Sequence, residues 1–131
     1  MNKVIKNPTL FVDIDGTLVK YRKFNELVES ILTPIQDVID YVNSHHDAGS
    51  VVVITTARPE SYRLFTKQEL EKLDVRYSQL IMEMGRGTRV ILNDVDPENP
   101  ELPRAIGINL KRDGGLKDIK IPSYISPYES N

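Results

Sequence analysis

An α/β fold built on a mostly parallel sheet is what this sequence predicts, and three observations predict it. Short apolar runs alternate with amphipathic stretches along the chain, the pattern of successive βα units. The runs are apolar throughout, as strands covered on both faces are. Three of them end in polar residues: Asp13, Thr55-Thr56 and Asn93-Asp94. In open α/β sheets ligands bind beyond the carboxyl ends of the strands, so these residues are expected at one rim.

The first strand is Thr9-Leu10-Phe11-Val12, entered from Pro8 and closed by Asp13. A helix should follow Thr33-Pro34-Ile35-Gln36, with Thr33 as cap, Pro34 at the first helical position and Gln36 completing a capping box. Ile35, Val38, Ile39 and Val42 then form one apolar stripe at helical spacing, and Gly49 ends the unit. Val51–Ile54 is the second strand. A second helix is expected from near Pro59 to Leu73, with Tyr62, Phe65, Leu70 and Leu73 inward. Gln79–Met82 reads as a weaker third strand, Val90-Ile91-Leu92 as a fourth and Ala105–Leu110 as a fifth. Lys111–Gly115 reads as a loop, and the last residues, with Pro122 and Pro127, as an extended tail or an arm packed on the domain.

The 131 residues fit one domain, 1–131, with a core over about 8–112 and a C-terminal tail over 113–131. Hydrophobic residues make up 40% and charged residues 27%, which excludes a fibrous or wholly disordered chain. Lys+Arg 17 against Asp+Glu 19 leaves a net charge of −2, without the broad positive field that extended nucleic-acid binding needs. With no cysteine, thiolate metal sites, disulfides and cysteine nucleophiles are excluded. No apolar run approaches a membrane span and the first residues lack a signal-peptide core, so a cytoplasmic protein with no membrane partner is expected.

Asp13-Ile14-Asp15-Gly16-Thr17 carries the most chemistry. In extended chain Asp13 and Asp15 project to one side while Ile14 points into the core. Two carboxylates about 6 Å apart repel by roughly 3 kcal/mol at an effective dielectric of about 20. Such a pair wants a raised pKa or a cation. Oxygen ligands at few positions suit Mg²⁺, and Asp94 would join them if its strand end lies alongside. A calcium-loop reading with Gly16 at position 6 fails, because Phe11 and Arg22 would then stand at ligand positions 1 and 12. A carboxylate can attack phosphorus, a second can move the proton, and a strand-end hydroxyl with a nearby cation can hold the phosphoryl oxygens.

These residues resemble a known family. Asp13-Ile14-Asp15-Gly16-Thr17-Leu18 after an apolar strand is similar to the first motif of the haloacid dehalogenase (HAD) superfamily phosphatases. Val53-Ile54-Thr55-Thr56-Ala57-Arg58 resembles the second motif, and Val90-Ile91-Leu92-Asn93-Asp94 the acidic fourth, the likeness covering roughly Thr9 to Leu110. The resemblance implies Asp13 as nucleophile and Asp15 as general acid/base, with Thr56 on the phosphate and Thr55 as its alternative. It also implies Mg²⁺ held by Asp13, the backbone carbonyl of Asp15, and Asp94. The third motif usually supplies a Lys, but no Lys lies between Lys72 and Asp94, so Arg86 and Arg89 are the available cations. Either Asp96 or Glu98 would be the second acid of the fourth motif.

The expectation is therefore a three-layer Rossmann-like sandwich, mostly parallel, with the first strand central. Thr17–Leu32 and Val75–Gly85 are too short for a cap domain, since a marginal domain needs about 40 residues. The expected activity is Mg²⁺-dependent hydrolysis of a phosphomonoester, on a small molecule or a polymer end, through an aspartyl-phosphate. An open site of this kind is covered by a bulky substrate or in a homo-oligomer. The alternative is a domain of the same fold that binds or regulates with little turnover. A receiver-type phosphoacceptor disagrees with the order of the motifs. Arg58 reads best as pairing with a surface carboxylate, with a substrate contact as the alternative, Lys20-Tyr21-Arg22-Lys23 as a solvated run or a contact for an anionic substrate, and His45 and His46 as solvated or interacting with the terminal carbonyls of their helix.

Overall fold

The structure, a computed structural model, describes residues 5–125. It is an α/β fold. Three parallel strands, β1 (Leu10–Asp13), β2 (Val52–Thr55) and β3 (Gln79–Ile81), lie in that order. Leu10 to Asp13 stand opposite Val52 to Thr55, and Val53 to Thr55 opposite Gln79 to Ile81. The helix α1 (Gln36–Asp47) joins β1 to β2, and α2 (Arg63–Lys72) joins β2 to β3.

Two successive right-handed crossovers that step the same way across a sheet put both helices on one face. The core agrees with that rule. Val12, Val52, Ile54 and Leu80 pack in one cluster with Val38, Ile39 and Val42 of α1 and Leu70 of α2. The alternation of a strand places those four sheet residues on a single side. The opposite side carries Phe11, Val53 and Ile81, and of these only Val53 is buried. Among the described residues the helices thus form one layer, over one face of the sheet.

The apolar stripe of α1 is buried at all four expected positions. The helix starts later than the capping signals predict. Lys20 donates to the Thr33 carbonyl at 2.8 Å and Ile35 to the Leu18 carbonyl at 2.8 Å, so Thr33-Pro34 is drawn into an antiparallel bridge with Val19. Ile35 becomes the N-cap, with no side-chain cap, and Gln36 instead donates to Asp40 at 2.8 Å. The end of α1 is as expected. Gly49, at φ +108°, gives its N–H to the His46 carbonyl, and Ser50 donates to that of His45, the paired bonds of a Schellman motif.

The second helix begins with a 3₁₀ turn over Glu60–Tyr62. Leu70 is buried, Tyr62, Phe65 and Leu73 are half-buried, and Thr66 and Glu69 are buried with them. Neither expected late strand forms. Residues 90–92 and 105–110 adopt no regular structure, and Val90, Ile91 and Leu92 are exposed. A β-branched run becomes a strand only against a hydrogen-bonding neighbour, and among the described residues neither run has one. The C-terminal part of the chain returns to the body. Leu116 donates to Asp37 Oδ2 at 2.9 Å, and Ile5 pairs with Ile125. Pro127 lies outside the described residues. Among the described residues no helix is long and apolar enough to cross a membrane.

Candidate functional site

β1 ends at Asp13 and the chain turns sharply. The N–H groups of Thr17, Leu18 and Val19 converge on the Ile14 carbonyl at 3.1, 2.9 and 3.2 Å, while Gly16 donates to Val19 at 2.8 Å. Gly16 takes φ +92° there, a conformation that side chains strain. Ile14 is buried and anchors the turn, which leaves Asp13 and Asp15 on the outside at the strand end, as their spacing predicts.

The two carboxylates live in different surroundings. Asp13 is exposed and accepts a hydrogen bond from Thr17 Oγ1 at 3.3 Å. Removal of water by the protein packed round its carboxyl raises its pKa, and the like charge of Asp15 adds to the rise. The charge of Arg89 works the other way on Asp13, so one of the two candidate arginines acts on this carboxylate. Arg89 is held by the carbonyls of Gly85 and Gly87 at 3.1 and 2.7 Å. Arg86 is exposed in the same loop.

Asp15 is clamped. Arg58 donates from Nε to its Oδ2 at 3.0 Å and from NH2 to its Oδ1 at 2.9 Å. The other guanidinium nitrogen of Arg58 serves Thr66 Oγ1 and Glu69 Oε1, both at 3.0 Å. Glu69 in turn accepts from Arg22 at 2.9 Å. Arg58 is thus not a surface residue: its side chain is 3% exposed, and Arg22 is buried rather than part of a solvated run. Buried charges persist where paired and hydrogen-bonded, and two arginines here share two carboxylates. This network was missed in the sequence. Its signal was the polar pair Thr66 and Glu69, three apart on the inward side of an otherwise amphipathic helix.

Thr55 ends β2 at this rim and Thr56 follows it. Thr55 stands in register with Asp13, and Thr56 is the more deeply buried, its hydroxyl accepting the Arg58 N–H at 3.1 Å. The loop after the expected fifth strand also reaches the site. Asp113 donates its N–H to the Gly16 carbonyl at 2.9 Å and accepts the Tyr21 N–H at 2.7 Å, while the Arg112 guanidinium lies 3.8 Å over the Tyr21 ring.

Asp94 is not brought to the pair. Its side chain is 75% exposed and lies 3.7 Å from Arg104. Asp96 closes its own turn, accepting from Glu98 N–H and Asn99 Nδ2 at 2.9 and 3.1 Å. Because residues 90–92 have no neighbouring strand among the described residues, no sheet pairing carries the acidic segment to the end of β1. Among the described residues no three His, Asp or Glu side chains converge as a cation site. Asp13 and the Asp15 backbone carbonyl belong to the expected donor set, and among the described residues no third carboxylate joins them.

No protein-family model and no curated protein matches the chain. A crystal structure of a target protein from Vibrio cholerae is 22% identical to it, covering 66% of this chain and 79% of that one with a TM-score of 0.46.

Proposed function

We propose that this chain hydrolyses a phosphomonoester, with Asp13 as nucleophile and an aspartyl-phosphate intermediate. The observation that supports it best is the asymmetry of the two carboxylates: Asp13 faces the rim beside Thr55 and feels Arg89, while Asp15 is fixed by Arg58. In the first step an Asp13 oxygen forms a bond to phosphorus as the ester P–O bond breaks, and Asp15 gives the departing alkoxide its proton. In the second, Asp15 takes a proton from water, whose oxygen displaces Asp13 and releases phosphate. Thr56 or Thr55, with Arg89 ahead of Arg86, would hold the phosphoryl oxygens.

Mg²⁺ is part of this reading, with Asp13, the Asp15 carbonyl and Asp94 as ligands. Since Asp94 stands apart, the donor set is incomplete as arranged and no step is assigned to the ion. The three-layer Rossmann-like form, without a cap, belongs to the same proposal, the second covering layer lying beyond the described arrangement. The pairing of Asp94 with Arg104 favours a second reading, a domain of this fold that binds a phosphorylated ligand with little turnover.

Phosphate release from a panel of phosphate esters, with Mg²⁺ or with EDTA, separates the two. Metal-dependent release that disappears in Asp13→Asn is the expected result. A folded wild type that binds an ester but releases no phosphate would leave the binding reading standing.

A further inference from the structure

The run Lys20-Tyr21-Arg22-Lys23, just after the turn that carries Asp13 and Asp15, offers less positive charge than its sequence promises, because Arg22 is turned inward onto Glu69. A different arginine comes to this place. The loop over residues 111–116 is held by three hydrogen bonds: Asp113 donates to the Gly16 carbonyl, Asp113 Oδ1 accepts the Tyr21 N–H, and Leu116 donates to Asp37 of α1. So fixed, the loop carries the Arg112 side chain across Gly16, where a Cβ would stand 3.3 Å from Arg112 Cγ and 3.9 Å from its Nε. From there the guanidinium reaches the Tyr21 ring and lies 3.8 Å from its centroid.

Stacking on a ring engages the face of a guanidinium and leaves the N–H groups at its edge. Among the described residues no carboxylate or carbonyl takes those of Arg112, which is exposed. Arg58, Arg63, Arg76 and Arg89, by contrast, all donate to groups of the chain itself. The planar N–H fork matches two oxygens of a carboxylate or phosphate. An arginine already held against a ring also has less freedom to lose when an anion meets it.

We infer that Arg112, presented by Tyr21, is a specificity subsite for a second anionic group of the substrate, a carboxylate or a further phosphate on the alcohol part of the ester. The inference rests on the phosphatase reading and divides the cations of the rim between the two parts of the substrate. Arg89 acts on Asp13, where the transferred phosphoryl group would sit. Arg112 crosses the residue next to Asp15, the group that would protonate the leaving oxygen, and so meets the leaving alcohol.

Matched pairs of esters test it: phosphogluconate against glucose phosphate for a carboxylate, and fructose bisphosphate against fructose phosphate for a second phosphate. The wild type is expected to favour the more anionic member of at least one pair in kcat/KM, and the pair that shows the preference names the group. Arg112→Gln should reduce that preference by at least about tenfold, as the loss of a charge-assisted hydrogen bond does. Arg112→Lys, which keeps the charge without the fork, should reduce it less. Tyr21→Leu removes the platform and should reduce it too, whereas Tyr21→Phe should keep it. Calorimetric binding of the same esters to the wild type and Arg112→Gln separates this inference from the reading it rests on. If no ester is turned over, yet the wild type binds the anionic member more tightly and Arg112→Gln loses that advantage, the subsite stands and the phosphatase reading falls. Equal treatment of both members by the wild type in turnover and in binding, or a preference that survives in Arg112→Gln, would overturn the inference.

Discussion

Arg58 joins Asp15 on the turn after β1 to Thr66 and Glu69 on α2. Removing one partner from a buried ion pair leaves charge unpaired in a poor solvent, at a cost of about 3–5 kcal/mol. Arg58→Leu is therefore expected to lose about that much in urea unfolding, and Arg58→Lys less, because it keeps charge but not the paired bonds to Asp15. Asp13 should behave in the opposite sense. Its pKa is raised in the folded state, so the stability linked to its proton is full below the unfolded value of 3.8 and is lost as pH rises through the folded pKa. At pH 7 its charge is a net cost. Asp13→Asn should melt higher than wild type at neutral pH, with the gain vanishing near pH 3.8 and below. The carboxylate pair was legible because two residues of separation and a strand end settle where side chains project. Arg58 was not, since its partners lie 43 and 11 positions away in sequence.

At the scale of elements, α1 shows what local pattern conveys. Its apolar stripe and its closing glycine were readable because both depend on residues within a few positions. Its start was not, because the bridge between Val19 and Pro34 competes with the capping signals. His45 tests the buried side of this helix. It is fully buried with Tyr41 edge-on at 4.6 Å, against the expectation of a solvated ring, and burial lowers its pKa from 6.5 to about 4. The neutral ring must charge on unfolding in acid. Its contribution is whole above pH 6.5 and is lost as pH falls towards about 4, on the order of 3 kcal/mol in all. His45→Phe, which keeps a ring against Tyr41, should flatten the stability profile between those limits, as read by denaturant titration across pH.

For the whole molecule, the sheet with one covered face leaves large side chains in water, and burying each Val, Leu or Ile is worth about 1.5–3 kcal/mol. By itself the sequence determined the order of the first three strands and two helices, strands at 9–12, 51–54 and 79–82 that lie within a residue of those observed, the inward stripe of α1, and the placement of Asp13 and Asp15 at a strand end. Each of these depends on side-chain periodicity or on residues adjacent in the chain. Only the tertiary structure decided that both helices share one face, that Arg58 clamps Asp15, and that among the described residues Val90–Leu92 pairs with no strand and Asp94 stays apart from the carboxylate pair. Those outcomes depend on which distant segments meet. Strand propensity can ask for a neighbour, but the packed chain decides whether one is there.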